Sequence, residues 1–139
     1  MNALPALRLG AAVGALGMSV AHIPLMADHL EEAPYVGVGF VLLSIAGVLL
    51  AQLLIGSDVP DVWMATGAVA ALALLGYALS RSVGLPQIHD EIGAWRDGLG
   101  LVAVTSEALM LGCAAARMRI TTRPGRVPRS PGRAEVTAR

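Results

Sequence analysis

The chain has 139 residues, of which 55% are hydrophobic and 14% are charged, and its acidic and basic residues cancel to a formal net charge of zero at pH 7. Soluble domains carry roughly 25% charged residues, so this composition disfavours an ordinary soluble protein and is typical of a membrane protein. The single cysteine, Cys113, excludes an intrachain disulfide and any CxxC redox or zinc motif.

Four long apolar segments follow one another along the chain. They cover residues 4–26, 35–55, 61–81 and 94–117. A helix needs ~20 apolar residues to cross a ~30 Å hydrocarbon core, and isolated strands cannot cross because their backbone groups would stay unpaired in lipid. We therefore predict an all-α fold, in which residues 1–118 form a bundle of four transmembrane helices and residues 119–139 form a tail.

The first segment has a second interpretation. Arg8, the apolar run after it and the sequence SVA resemble a signal peptide with a small-x-small cleavage site, which would remove residues 1–21. The apolar stretch resumes after His22 as IPLMA, as a transmembrane helix would. We prefer the transmembrane helix, and cleavage would make His22 the new N-terminus.

Turn-forming residues separate the segments. Pro34 stands where the second helix begins, a position that tolerates a missing N–H. Asp58 and Asp61, in the stretch GSDVPD, are alternatives for the N-cap of the third helix. Gly84 and Pro86 end that helix and open the longest connection, SVGLPQIHDEIG.

The arginines indicate an orientation. Arg8 precedes the first helix, and a group of arginines from Arg117 to Arg139 follows the last. Four spans put both termini on one side, and the positive-inside rule places that side in the cytoplasm. Residues 119–139 are rich in Arg, Pro, Gly, Ser and Thr, and we expect a disordered basic tail there.

Small residues recur on the predicted helices, among them Gly10 and Gly14 on the first and Gly47 on the second. Such residues let helix backbones approach closely where lipid supplies no hydrophobic driving force. They predict close packing inside the bundle, with a homo-oligomer seam as the alternative.

Polar side chains gather on the predicted outer face. The candidates for binding a cation, a small ligand or a partner protein are His22, His29, Glu32, Arg81, His89, Glu91 and Asp97. Rise per residue puts His22, Arg81 and Asp97 at one outer rim. One arrangement pairs Arg81 with Asp97 beside His22, and the other extends Arg81 to a lipid phosphate.

Glu107 is the acidic residue predicted to lie deepest in a helix. Counted from residue 94, it falls ~20 Å below the outer face. Acids at such depth usually face the bundle interior and have a partner or a role. We expect Glu107 either to donate a hydrogen bond to Thr66 or Gln52, or to act in a proton or cation relay; a lipid-facing acid is the third alternative.

His22, His29 and His89 are candidate metal ligands, since imidazole with nearby carboxylates suits zinc, copper or iron. His22 and His29 lie roughly 10 Å apart along a helix, too far for one ion unless Pro24 breaks it. No HxxxH or HExxH spacing occurs, so a solvated acidic rim is the alternative. No cofactor is predicted beyond a divalent or copper ion; haem would need facing histidines, and only His22 lies near the bundle.

The sequence contains no GxSxG motif, no P-loop and no Rossmann glycine pattern. We therefore predict that the protein is not an enzyme. Its arginine-rich end would meet anionic lipid as the closest polyanion, and no nucleic-acid partner is expected. The expected partners are the lipid bilayer, a second copy of the chain and another membrane protein.

The pattern AHxxLMxDHxEExPYxGxGF begins at Ala21, and YALSRSVGLP begins at Tyr77. Together with the acids before Trp95, they resemble small four-helix integral membrane proteins of high-GC bacteria. The resemblance covers the four helices and excludes the tail. It implies a multi-pass protein of the bacterial plasma membrane in which the two outer motifs belong together, and it transfers no functional residues, because that group carries no assigned activity.

Three functions are compatible with the sequence. We predict a non-enzymatic membrane module whose outer face binds a cation, a small ligand or a partner protein. The first alternative is a small proton- or cation-coupled transporter or channel-like oligomer that uses Glu107. The second alternative is a metal- or haem-binding redox subunit, although the sequence contains no cofactor motif.

Overall fold

The computed structural model describes residues 3–122, and this part of the chain forms helices and turns without a β-strand. The α-helices in chain order are α1 (Leu4–His22), α2 (Met26–Glu32), α3 (Pro34–Gly56), α4 (Pro60–Ser82) and α5 (Gly98–Thr122). The predicted all-helical architecture is confirmed for these residues.

The described residues contain four helical stretches long and apolar enough to cross a membrane: Leu4–Glu32, α3, α4 and α5. Many of their large apolar side chains point away from the bundle, including Leu9, Leu42 and Leu72. Soluble monomers rarely expose broad apolar surfaces, so this outer surface suits contact with lipid. The prediction of four such helices is confirmed.

A single 3₁₀ turn, Ile23–Leu25, joins α1 to α2. Pro24 lacks an N–H, so regular α-helical hydrogen bonding is interrupted there, yet the flanking residues keep right-handed helical dihedrals. The first helical stretch therefore continues to Glu32 instead of ending at residue 26, and His29 lies on α2.

The long helices do not pack equally against one another. α1 packs against α5 on one side and α3 on the other, and α4 packs against α5. α3 and α4 are consecutive in the chain, yet they contact each other less than the two helices in any of those three pairs do. A space therefore opens between α3 and α4.

Two glycines bring α1 close to its neighbours. A Cβ atom on Gly14 would lie 2.7 Å from the backbone oxygen of Ser106 on α5, and one on Gly47 of α3 would lie 2.5 Å from the backbone oxygen of Ala15. Both distances are too short for carbon and oxygen in contact, so a side chain at either position requires the backbones to move apart. These small residues act in packing within the bundle, and a homo-oligomer seam stays a prediction.

Asp58 ties the α3–α4 turn to α5. Arg117 donates to its Oδ1 and Oδ2 atoms at 3.0 and 2.8 Å, and Trp63 Nε1 donates to Oδ1 at 2.6 Å. The predicted N-cap role of Asp58 or Asp61 is wrong, because Val59 is the N-cap residue of α4 and makes no side-chain capping bond. The carboxylate of Asp58 is instead engaged by Arg117.

Asp97 fixes the start of α5. Its Oδ2 atom accepts a hydrogen bond from the N–H of Gly100 at 2.8 Å, which is the geometry of an N-cap side chain. The fourth long helix therefore begins at Gly98 instead of residue 94, and Glu107 lies ~14 Å along it instead of ~20 Å. α5 continues to Thr122, and residues 123–139 of the predicted tail lie outside the described residues.

Candidate functional site

A cavity of about 470 Å³ occupies the space between α3 and α4. These two helices supply most of its lining, while α1 and α5 contribute residues behind it. Leu42 of α3 and Leu72 of α4 belong to the lining and are 61% and 68% exposed. The cavity therefore opens sideways through the apolar surface of the bundle.

Polarity changes along this cavity. Near the middle of α3 and α4 its lining is apolar, with Leu43, Ala46 and Val69. The end of the cavity that lies beside the end of α4 is polar. The polar lining residues are His22, Tyr35, Tyr77, Ser80, Arg81, Glu91 and Glu107. The cavity is thus complementary to a molecule with an apolar body and a polar head.

Two tyrosine hydroxyls hold the segment 83–97 over the polar end. Tyr35 of α3 donates to the carbonyl oxygen of Pro86 at 2.7 Å, and Tyr77 of α4 donates to that of Trp95 at 3.2 Å. The Trp95 ring also packs edge-on against Tyr77, with 6.1 Å between ring centroids. The segment is therefore tied to both helices that flank the cavity.

Glycines at left-handed positions let the same segment turn back onto α4. Gly84 has a φ of +78° and Gly93 a φ of +82°, values that only glycine adopts without strain. The N–H of Gly93 then donates to the carbonyl oxygen of Arg81 at 2.9 Å. This path brings Leu85 and Glu91 into the cavity lining.

Arg81 is the centre of a charged cluster at the polar end, although it is only 7% exposed. Its Nη1 atom is ion-paired with Oε2 of Glu91, and its Nη2 atom lies 3.9 Å from Oδ2 of Asp97. Oε1 of Glu91 lies 3.5 Å from Nε2 of His29. The guanidinium also lies over the Tyr77 ring, 5.1 Å from its centroid. Glu91 is therefore a closer partner of Arg81 than Asp97 is.

His22 and Glu107 form a second, more deeply buried pair. Nε2 of His22 lies 4.0 Å from Oε1 of Glu107, whose residue exposure is 1%. Within residues 3–122, the Oε2 atom of Glu107 has no hydrogen-bond partner. Because both residues line the cavity, this unsatisfied carboxyl oxygen belongs to the candidate site.

The predicted hydrogen bond from Glu107 to Thr66 or Gln52 is wrong. Thr66 Oγ1 donates to the carbonyl oxygen of Val62 at 2.7 Å, and Gln52 is exposed. The physical reason is the later start of α5, which brings Glu107 to the level of His22.

Phe40 lies between the two histidines of the site. Its ring centroid is 4.8 Å from that of His22 and 4.8 Å from that of His29. Each histidine uses Nδ1 to contact the carbonyl oxygen four residues earlier, Met18 at 2.8 Å and Leu25 at 2.9 Å. Both Nε2 atoms are therefore directed toward acids, Glu107 and Glu91 respectively.

Two of the candidate residues lie apart from this site. His89 and Glu32 are exposed, and neither contributes to the cavity lining. The described part of the chain contains no group of three or more His, Cys, Asp or Glu side chains placed to hold a metal ion. The three histidines proposed as metal ligands are thus not gathered into one such group.

Sequence reasoning missed the aromatic lining. The chain has two tyrosines and one phenylalanine, and all three of these residues line the cavity, as Tyr35, Phe40 and Tyr77. The sequence carried no signal that rings on α3 and α4 would meet, because that depends on how the two helices pack. Ser80, also in the lining, carried no signal either.

Comparison with known proteins gives no relative. No family model matches the chain, and no curated protein and no solved structure matches it significantly.

Proposed function

We propose that this chain is a non-enzymatic, multi-pass membrane protein that binds a lipid-soluble small molecule between α3 and α4. The observation that carries the proposal is the cavity of about 470 Å³ that opens sideways and ends at buried polar groups. Ligand pockets are typically concave and mostly apolar, with a few convergent polar groups that fix orientation. This cavity has that composition.

The route of the ligand follows from the position of the opening. Leu42 and Leu72 stand at the opening and are surrounded by other exposed apolar side chains of α3 and α4. In a bilayer this flank faces hydrocarbon, so a ligand reaches the cavity from lipid instead of from water. Its apolar body stays near Val69, and its polar head reaches the end that contains Arg81 and Glu107.

The arginines supply the proposed orientation. Arg8 and Arg117 lie at the end of the bundle opposite the polar end of the cavity. By the positive-inside rule, that end and both termini are cytoplasmic, and the segment 83–97 lies on the outer side of a bacterial plasma membrane. The cavity then opens toward the outer leaflet.

A glycine on α4 provides the test. Gly76 lines the cavity, and a Cβ atom there would meet no described atom within 4 Å. Gly76→Leu therefore adds a bulky apolar side chain at the cavity wall, at a position where its first carbon meets no described atom. The probe is a fatty alcohol that carries a diazirine, photolysed with the protein in lipid nanodiscs, and the labelled residues are mapped by mass spectrometry. We expect labels on cavity residues of α3 and α4 in the parent protein and their loss in Gly76→Leu.

The matched control is Gly112→Leu. Gly112 is an exposed helical glycine on α5 outside the cavity lining, and in the described structure its added Cβ also meets nothing within 4 Å. It should keep the parent labelling. Equal labelling of cavity residues in the parent and in Gly76→Leu, with both folded, would contradict the proposed function.

A proton-coupled carrier is the second candidate function, favoured by the buried Glu107 carboxyl with one unsatisfied oxygen. Intramembrane acids commonly mark ion or substrate paths. Proteoliposomes loaded with a pH-sensitive dye test this candidate. It predicts substrate-driven proton flux that Glu107→Gln abolishes while the helical circular dichroism spectrum is kept, and flux retained by the variant would exclude it.

A further inference from the structure

We propose that the ligand is an amphiphilic amine, whose ammonium group donates hydrogen bonds to Nε2 of His22 and to the carboxyl of Glu107. This inference rests on the proposed function, since it names the class of molecule that enters the same cavity. The two acceptor groups come from different helices, α1 and α5, and both line the cavity.

The tautomer of His22 follows from its backbone contact. Nδ1 lies 2.8 Å from the carbonyl oxygen of Met18, and a carbonyl oxygen can only accept a hydrogen bond. Nδ1 therefore carries a proton. In the neutral imidazole Nε2 is then an acceptor, and it is directed toward Glu107.

Glu107 adds acceptors at the same place. Its Oε1 atom is 4.0 Å from Nε2 of His22, which is longer than a hydrogen bond. Its Oε2 atom has no hydrogen-bond partner among residues 3–122, although the residue is 1% exposed. Buried polar atoms are almost always hydrogen-bonded, so this arrangement lacks a donor. A group with several N–H donors supplies it.

The charges around the cavity disfavour an anionic head. Arg81 is the basic lining residue that could attract one, and its Nε atom has no hydrogen-bond partner in the described residues. Its charge, however, is balanced by the ion-paired Glu91 and by Asp97 at 3.9 Å. An anion would also meet Glu107 on the same lining. A cation instead meets Glu107. In the described structure no arginine lies within ion-pair distance of the Glu107 carboxyl.

The aromatic lining also suits a cation. Phe40 packs against the ring of His22, and Tyr35 and Tyr77 line the same polar half of the cavity. Aromatic faces attract ammonium groups through their quadrupoles, most strongly where water is excluded. Within the described residues Arg81 already lies over the Tyr77 ring, and the rings of His22 and His29 pack on Phe40, so the aromatic contribution to binding an ammonium group rests on Tyr35.

The test uses three compounds with one apolar body: adamantyl amine, adamantanol and adamantane carboxylate. Binding to the full chain in nanodiscs is measured by equilibrium dialysis, with empty nanodiscs subtracted. We expect the amine to bind at least tenfold more tightly than the other two, which corresponds to one charge-assisted hydrogen bond. Glu107→Gln should remove most of this preference.

Asp28→Asn is the matched control, because Asp28 is an exposed acid outside the cavity lining. It should keep the preference for the amine. If Glu107→Gln does not fold, the ranking of the three compounds in the parent protein decides the question alone.

The outcomes separate this inference from the proposed function. Equal binding of the amine and the alcohol, lost from both in Gly76→Leu, overturns the amine assignment and leaves the cavity as a ligand site. If none of the three adamantyl compounds binds while the fatty alcohol still labels the cavity, the amine assignment is again overturned and the cavity remains a ligand site. An amine preference that Gly76→Leu does not weaken overturns both proposals.

Discussion

Oε1 of Glu107 on α5 lies 4.0 Å from Nε2 of His22 at the end of α1, so two buried ionisable side chains face each other where these helices pack. In the described residues, the other carboxyl oxygen of Glu107 has no hydrogen-bond partner. A buried polar atom in this state destabilises the fold by about 1–3 kcal/mol.

Glu107→Met is therefore expected to stabilise the ligand-free protein by about 1 kcal/mol, because it replaces an unsatisfied carboxyl by an apolar side chain of similar length. The same change should abolish amine binding. Thermal unfolding in detergent, followed by circular dichroism, measures the first effect. Glu32→Met, at an exposed acid, is the control and should change stability little. A less stable Glu107→Met would indicate that the fold needs the carboxyl.

Gly14→Ala is expected to destabilise the bundle, since its Cβ would lie 2.7 Å from the backbone oxygen of Ser106 and force α1 and α5 apart. Overpacking of this kind costs about 1–3 kcal/mol. Unfolding in sodium dodecyl sulfate measures the loss. Gly112→Ala adds a methyl group with no described atom within 4 Å and should be neutral or slightly stabilising. Equal effects of the two changes would contradict the close α1–α5 contact.

Asp58 should contribute a pH-dependent part of the stability. Hydrogen bonds from Arg117 and then from Trp63 lower the pKa of its carboxyl below the usual value of 3.8. Because the folded-state pKa is the lower one, the contribution is complete above the unfolded-state pKa, which is this usual value. It is lost as pH falls through the folded-state pKa.

Asp58→Asn tests this linkage through unfolding measured at several pH values from about 3 to about 7, a range that includes the usual pKa of aspartate. At neutral pH the variant should lose about 1–3 kcal/mol, because the partly buried guanidinium of Arg117 loses its charged partner. The difference from the parent protein should shrink as the pH falls below about 4. Asp61→Asn, at an exposed acid of α4, is the control. A difference that is constant with pH would argue against the ion pair.

Tyr35→Phe and Tyr77→Phe should loosen the segment 83–97, since each removes one hydroxyl that donates to the carbonyl oxygen of Pro86 or Trp95. Each lost hydrogen bond is worth about 0.5–1.5 kcal/mol. Hydrogen–deuterium exchange of the protein in nanodiscs should speed up in this segment and stay unchanged in α5. If exchange rises equally throughout the chain, the tyrosines support the whole fold instead of the segment.

Hydropathy by itself determined the helical class of the protein and its four long apolar helices, because a segment that crosses lipid must be apolar and must satisfy its own backbone. Proline and glycine also marked real boundaries: Pro34 lies in the first turn of α3, and Gly84 adopts a left-handed conformation after α4.

Only the tertiary structure decided which polar residues meet. His22 and Glu107 are far apart in the chain, and their approach depends on the packing of α1 against α5 and on the start of α5 at Gly98. That start depends in turn on the Asp97 side chain. The cavity itself arises because α3 and α4 pack loosely. Hydropathy is a property of each segment, whereas these features depend on the angles and spacings between segments, which one-dimensional periodicity does not encode.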